Sequence, residues 1–512
     1  MSYKQRLSDI NRDGDVSLTQ QIVDVFSAAI EAGDLGPGDR LPPTREVAEQ
    51  AGVNHLTAAR AYRKLSDLGL VSGRVGSGTY VRATATATAP TEAPTGSSDP
   101  GWQHYVLPEE TEMHSDRVVT EMLIQADQAE ETDLLPFSVG YPASSLYPLQ
   151  RITEITADVL ANDGPEALQY TAIEGPFELR SAVAEHMARR GAVEDPDAII
   201  STTGARQALA LVARAILRPG DVAACESPSF FGVIDAVHTT GARILPVPID
   251  DDGIDTEALE QLLRRHEIRM LAVQPRLNNP TGRDLSPERR EHLVELARRH
   301  GFFILEDGIY GDIRFEGEEL PPLRAEAPDH VVYVDSLTKT VGGGLRLGWV
   351  AASGPVLERI ARQKRLDDTH SVTLTQMIGA RFLASGDHER HLAERAIPFY
   401  RERRDALLEA LDAELSTVAS WVHPLGGGHL FLTLDEALDD RELLDEAVRQ
   451  GVAFIPGAAM LPERPRRTHM RLSFGFLEPA EMREATRRLG TAIRAVRRAR
   501  RPATAARSLP VA

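Results

Sequence analysis

The sequence predicts two folds on one chain: a winged helix-turn-helix at the N-terminus, then a large α/β domain that closes in a smaller α+β part. Three observations predict this. Residues 17–81 hold three helical stretches followed by two short strand-like runs around a glycine-rich tip. Residues 83–101, ATATATAPTEAPTGSSDPG, carry almost no large apolar group and cannot bury enough surface to fold alone. From Phe137 onward, continuous apolar runs alternate with helical stretches of Leu, Ala, Arg and Glu, the pattern of strands buried on both faces. A chain of 512 residues has room for two or more such domains.

In the first segment, SLTQQIVDVFSAAIEA (17–32) sets Leu18, Ile22, Val25, Phe26, Ala29 and Ile30 on one helical stripe, with Ser17 as N-cap and Gly33 as stop. Pro42-Pro43-Thr44 opens a short helix that reaches Ala51, and Gly52 makes the turn. A third helix runs from about Asn54 to Leu68 and ends at Gly69. Leu70-Val71 and Thr79-Tyr80-Val81 read as the strands of a wing around Val75-Gly76-Ser77-Gly78. Residues 102–135 read as transitional, with room for one helix. The expected strands of the large domain are Ala198–Ser201, Val222–Cys225, Met270–Val273, Phe302–Leu305, Val331–Val334 and Trp349–Ala352, all parallel. A helical region follows from about Thr369, and the smaller α+β part ends near Ala495. The expected domains are therefore 1–82, a linker over 83–133, a large domain over 134–495, and a basic tail over 496–512 that reads as a solvated helix end.

Net charge is −19, which by itself argues against nucleic acid. The distribution differs from the average. Between Arg40 and Arg82 stand seven Lys or Arg against three acids, a local +4, and DNA meets the local patch. The lone cysteine, Cys225, excludes a disulfide framework and a multi-cysteine zinc site and suits a reducing cytoplasm. The first residues lack the apolar stretch of a signal peptide, and no apolar run approaches a membrane span.

The large domain carries an ordered set of residues, each following an expected strand. Lys339 lies in Asp335-Ser336-Leu337-Thr338-Lys339-Thr340, with Arg346 beyond Gly342-Gly343-Gly344. Asn279-Pro280-Thr281-Gly282 and Asp307-Gly308-Ile309-Tyr310 lie upstream, and Arg471 far downstream. Pyridoxal phosphate asks for such a set: an amine for its aldehyde, an acid for its ring nitrogen, donors for its phenolate oxygen, a phosphate cradle and an aromatic lid. Lys339 supplies the amine, and Asp307 keeps the pyridine nitrogen protonated, which makes the ring an electron sink. Tyr310 and Asn279 can donate to the phenolate. Ser336, Thr338 and Arg346 can bind phosphate, helped by the helix start at Ala205 and Arg206. Phe230 can stack on the ring, and Arg471 can clamp a carboxylate. Each residue alone has a plainer reading as a surface lysine, a turn, a cap or a core aromatic; their joint order carries the inference. No metal ligand set stands out.

On these motifs, residues 137–495 resemble a fold-type I aminotransferase of the aspartate aminotransferase class. The resemblance implies that Gly140 faces the substrate carboxylate. It further implies that Tyr170 reaches the phosphate of a neighbouring subunit, so that the complete site needs a homodimer. Phe230 stands where tyrosine is frequent, which keeps the stacking and loses a hydroxyl.

Residues 17–81 resemble the winged helix of the GntR family, on Leu41-Pro42-Pro43-Thr44-Arg45-Glu46, Ala51-Gly52-Val53, Arg60-Ala61-Tyr62 and Gly76-Ser77-Gly78-Thr79-Tyr80-Val81. Base readers are expected at the start of the third helix, at His55, Leu56 and Thr57, with Arg45 and Arg60 nearby and Arg74 and Gly78 on the wing. Relatives often carry arginine and a polar residue at the places of His55 and Leu56. A winged helix, a linker and an aminotransferase-like domain in this order resemble the MocR subfamily of GntR regulators. The resemblance implies a pyridoxal phosphate-dependent regulator that binds a double-stranded DNA operator as a head-to-tail homodimer in the cytoplasm, on the nucleoid. It would sense an amino acid, an amine effector or the cofactor itself, with at most partial transamination. The alternative is an active amino-acid aminotransferase with a fused DNA-binding module, since Lys339, Asp307, Tyr310 and Arg471 are all present.

Overall fold

A computed structural model describes residues 6–7, 10, 18–32, 34–36, 39–67, 70–74, 78–81, 133–463 and 467–500. The expected cap Ser17, the stops Gly33 and Gly69, the wing tip at 75–77, the linker, the helix expected within 102–132 and the tail beyond 500 lie outside these residues. The chain divides into two compact units, one holding the described residues up to 81 and the other those from 133 onward.

In the small unit, α1 (Leu18–Glu31), α2 (Thr44–Gln50) and α3 (His55–Asp67) precede a hairpin of β1 (Val71–Arg74) and β2 (Gly78–Val81). The stripe read from the sequence is the buried face: Ile22, Phe26, Ala29 and Ile30 pack with Val47, Ala58, Ala61 and Leu65. Phe26 meets Tyr62 edge-on at 5.6 Å, and the Tyr62 hydroxyl donates to the Pro42 carbonyl at 2.6 Å, which fixes α3 against the start of α2. The segment before α2 joins the wing, with a single β-bridge between Arg40 and Tyr80 and Leu41 N donating to Thr79 O at 2.8 Å.

The large unit is built on an eight-stranded sheet. Its strands are β4 (Ile199–Thr202), β5 (Val222–Ser227), β6 (Arg243–Asp250), β7 (Gly253–Ile254), β8 (Ile268–Val273), β9 (Phe303–Asp307), β10 (Val331–Ser336) and β11 (Gly348–Ala351), in the order β4-β11-β10-β9-β8-β5-β6-β7. Neighbouring residues of each strand enter different cores, so both faces are apolar and the strands read as continuous runs. Val332 and Val334 pack with α6 (Ala205–Ile216), α7 (Phe231–His238) and α10 (Pro355–Asp367). Tyr333 and Trp349 pack with α4 (Leu149–Asn162), α5 (Phe177–Ala188) and α11 (Thr373–Ala384), and Leu271 and Ile304 with α8 (Thr256–Leu263) and α9 (Pro287–His300).

Two departures from expectation have simple causes. β11 runs antiparallel to both its neighbours, β10 and β4. Only residues 337–347, eleven in all, join β10 to β11, too few for a helical crossover, and they are spent on the Lys339 loop. β6 was not among the expected strands. Pro246 and Pro248 disguise it, and they are tolerated because β6 pairs along its length only with β5, while β7 meets it at Ile249 and Asp250.

The smaller C-terminal part packs α12 (Ile397–Leu415), α13 (Asp440–Arg449) and α14 (Pro479–Arg500) on an antiparallel sheet of β12 (Ala419–Trp421), β13 (His429–Leu434), β16 (His469–Ser473) and β15 (Ile455–Pro456). β14 (Val452–Ala453) pairs with β3 (Leu135–Pro136), and Ser473 N donates to Phe137 O at 2.8 Å. These bonds carry the segment 135–140 beside Arg471. Arg497 and Arg500 at the end of α14 are paired with Glu436 and Glu442. No helix among the described residues is long and apolar enough to cross a membrane.

Candidate functional site

The carboxyl ends of β4, β5, β8, β9 and β10 lie on one side of the sheet, where open α/β folds bind their ligands. The loops that follow carry Gly204, Phe230, Asn279, Tyr310 and Lys339. With residues of the C-terminal part they enclose a cavity of about 660 Å³. Gly140, Ala205, Arg206, Phe230, Asn279 and Asp307 line it, as do Tyr310, Thr338, Lys339, Arg346 and Arg471.

One end of the cavity is built for an anion. Helix α6 begins at Ala205 and points its free amides inward. Gly204 before it has φ +109°, and a Cβ there would stand 3.0 Å from Arg346 Nη2. Arg346 itself holds a left-handed conformation, φ 49°, a strain of the kind that collects at binding sites. Arg206 adds a second guanidinium, between Asp235 at 3.7 Å and the Phe231 ring. Ser336 does not line the wall; its hydroxyl accepts from Thr338 N at 3.3 Å.

The middle is built around Asp307, which is buried. Gln274 Nε2 donates to its Oδ2 at 2.9 Å, and Ile309 N donates to its Oδ1 at 3.3 Å. Burial raises its pKa to about 6 against these bonds and the nearby Lys339. Gln274 is in turn fixed by Glu226, which accepts from Gln274 N and Asn278 Nδ2, both at 2.9 Å. Burial pushes the Glu226 carboxyl up to about 8 against these two hydrogen bonds. Gln274 Oε1 accepts from Asn279 N, leaving Asn279 Oδ1 buried with no hydrogen-bond partner among the described residues. Lys339 Nζ donates to the Gly140 carbonyl at 2.6 Å. Burial first, then the Arg471 charge, lower the amine to about 8. The Lys339 loop is pinned from behind: Tyr400 donates to Lys339 O at 3.0 Å, and His391 Nε2 lies 2.8 Å from Thr340 O.

The far end holds Arg471. It is 2% exposed, its Nη2 donates to Ser138 O at 3.3 Å, and its Nε has no hydrogen-bond partner among the described residues. No carboxylate of the described residues pairs with it, and burial lowers its pKa to about 10. Gly140 leaves the approach open, since a Cβ there would stand 3.5 Å from Arg471 Nη2.

An anion cradle, a buried carboxylate, a half-buried amine of lowered pKa and a buried guanidinium with no anion among the described residues fit pyridoxal phosphate and a carboxylate-bearing partner. Bound there, the cofactor supplies an electron sink for an amine's α-carbon. Tyr170 lies away from this cavity; it is 84% exposed and meets the His370 ring edge-on at 5.0 Å. His186, Asp312 and His388 cluster as metal ligands might, but Arg190 grips both oxygens of Asp312.

In the small unit, Arg45 and Arg60 are exposed. His55 Nε2 is hydrogen-bonded to Thr44 Oγ1 at 3.0 Å, which ties the third helix to the second. Thr57 is half-buried, and Arg74 and Gly78 face each other across the wing. The side chains of Leu56 and Arg74 lie outside the described residues.

Gln274, Glu226 and His429 are among the residues of the cavity region that went unread in the sequence, as are Tyr141, Tyr147 and Phe231. Gln274 and Glu226 act from behind Asp307. His429 follows Gly426-Gly427-Gly428, and that triple glycine was a usable signal: a Cβ on Gly428 would stand 3.2 Å from the Tyr310 ring.

Comparison with known proteins agrees with both halves. Residues 132–489 match the family of class I and II aminotransferases, and residues 18–81 match the gntR family of bacterial regulatory proteins. The uncharacterized HTH-type transcriptional regulator YisV of Bacillus subtilis is 30% identical over 473 residues, covering 91% of this chain and 94% of YisV. The probable rhizopine catabolism regulatory protein MocR of Rhizobium meliloti is 27% identical over 489 residues, 95% of this chain and 96% of MocR. The α-aminoadipate aminotransferase LysN of Thermus thermophilus, solved with N-(5'-phosphopyridoxyl)-L-leucine, superposes with a TM-score of 0.71 at 31% identity, covering 78% of this chain and 99% of LysN.

Proposed function

The chain belongs to the class I and II aminotransferase family with a gntR-type domain in front, a MocR-type transcriptional regulator that uses pyridoxal phosphate, and on that premise we propose that it senses a carboxylate-bearing amino compound. The observation that carries this is Arg471, a buried guanidinium without an anion, in the same cavity as the Lys339 amine. A buried unpaired charge is costly, and a ligand carboxylate relieves the cost when it arrives. In this reading Lys339 holds the cofactor, Asp307 keeps its ring nitrogen protonated, and Arg206, Arg346 and the start of α6 hold its phosphate. Tyr141 and Tyr147 line the rest of the cavity and would meet the effector's side chain.

We further propose a homodimer in the cytoplasm. The exposed apolar residues Leu168, Tyr170 and Val372 support it. They sit on adjoining segments, since Thr373 Oγ1 donates to Gln169 O at 2.8 Å, and exposed apolar groups of this kind suit an interface. The winged helices would then meet two half-sites of an operator.

The test is chemical. Wild-type protein loaded with pyridoxal phosphate is expected to be yellow and to keep the cofactor covalently after borohydride reduction, and Lys339→Ala to lose both. Reduced attachment surviving in Lys339→Ala would sink the assignment. A second reading, full amino-acid transamination, is favoured by the presence of Lys339, Asp307, Tyr310 and Arg471 around one cavity. Sustained keto-acid production with an amino acid that perturbs the bound cofactor's spectrum separates catalysis from sensing.

A further inference from the structure

We propose that His429, braced by Ser473, is a positioning residue for Tyr310: it turns the phenol proton into the cavity and strengthens its donation there. The inference rests on the reading that the cavity holds pyridoxal phosphate at Lys339.

His429 is buried at 3% exposure, at the start of β13, directly across from Ser473 on β16. Its Nε2 lies 2.7 Å from the Tyr310 hydroxyl and its Nδ1 lies 3.0 Å from Ser473 Oγ. The three groups form one chain that ends inside the cavity. The imidazole stands between two functional regions. Its Cε1 is 3.7 Å from where a Cβ on Gly140 would be, beside Arg471, while its Nε2 reaches the tyrosine next to Lys339.

The charged and titratable groups facing it are Arg471, Lys339, Tyr310 and Ser473. Burial and the two cations hold its pKa well below the ordinary histidine value, so it works as a neutral ring. A neutral imidazole has one N–H and one acceptor. Tyr310 also stays neutral, because burial raises its pKa. If the imidazole accepted from Tyr310, the phenol proton would be withheld from the cavity. With the anionic oxygen of the cofactor present, the better arrangement runs the other way. Ser473 donates to Nδ1, Nε2–H donates to the tyrosine oxygen, and the Tyr310 hydroxyl donates into the cavity. Hydrogen bonds in such a chain reinforce one another. Asn279 is the other expected donor to that oxygen, and it lines the same wall.

The consequence is measurable without turnover. A stronger donor at that oxygen stabilises the unprotonated form of the bound chromophore and so lowers the pH at which it takes up a proton. The experiment titrates the visible absorbance of full-length protein loaded with pyridoxal phosphate. His429→Phe is expected to raise the midpoint by about one pH unit, a tenfold change in proton affinity. Ser473→Ala is expected to raise it less, and His429→Asn, which keeps a donor, to restore part of the shift. Tyr310→Phe is expected to raise it most, and adding His429→Phe to Tyr310→Phe to change nothing more. An unchanged midpoint in folded, yellow His429→Phe would overturn the proposal, as would a full additional shift in the Tyr310→Phe background. Should His429→Phe fail to fold, Ser473→Ala and His429→Asn decide by the same criterion. A wild-type protein that stays colourless overturns the cofactor assignment itself, a result distinct from an unmoved midpoint.

Discussion

Arg471, buried, and Lys339, half-buried, are two cations lining one cavity, an arrangement that disfavours folding and favours ligands. Arg471→Met removes a desolvated charge at similar length, so the fold and cofactor binding are expected to survive. Affinity for a carboxylate-bearing amino acid is expected to fall by roughly 10- to 100-fold, the worth of a lost charge-assisted contact, as read by spectral titration. Lys339 gives a pH dependence of known sign. Its amine attacks the cofactor aldehyde only when neutral, and its pKa of about 8 lies below the ordinary lysine value. The rate at which cofactor-free protein turns yellow is expected to rise from pH 6 to about 8 and then level off. A rate still climbing steeply to pH 10 would show an amine that burial has not touched. At this scale, the amine, acid and guanidinium that line the cavity were legible, because such groups at the ends of apolar runs have few other uses. Gln274, Glu226 and His429 were not, because nothing in their spacing marks the hydrogen bonds that tie Gln274 to Asp307, Glu226 to Gln274 and His429 to Tyr310.

Gly204 shows how an element builds the site. It has no Cβ to meet Arg346, and its φ of +109° starts α6 with its amides facing the cavity. Gly204→Ala forces both to change. Affinity for pyridoxal phosphate is expected to drop about tenfold or more, with pyridoxal, which lacks the phosphate, almost unaffected. Equal loss for both compounds would mean that the anion pole lies elsewhere. Helix α8 offers a control: Asp255 accepts from Glu257 N at 3.0 Å and Ala258 N at 2.9 Å, far from any functional claim. Asp255→Ala is expected to cost about 1 kcal/mol in denaturant unfolding and to leave the cofactor alone. Strands were legible where alternation between two apolar cores gave unbroken runs. The direction of β11 was not, because direction depends on the length of the loop before it. β6 was hidden because proline is a poor strand signal unless the edge position is known.

The molecule holds two units, and the stretch 83–101 between them in sequence is rich in Ala, Thr, Pro and Ser. The order of the units was legible because a composition change separates them. DNA binding by the small unit is expected to weaken steeply with salt, by a slope of roughly 0.9 per phosphate contacted, in a chain whose net charge is −19. An amino compound at Lys339 and Arg471 is expected to alter how the winged helices hold DNA. The direct measurement is footprinting on the promoter upstream of its own gene, with loaded full-length protein titrated with an amino acid that perturbs the cofactor's spectrum. The expected result is a changed footprint or affinity in wild type, with Lys339→Ala binding DNA but not responding. An identical response in Lys339→Ala, or an unchanged footprint in wild type at saturating amino acid, would contradict it.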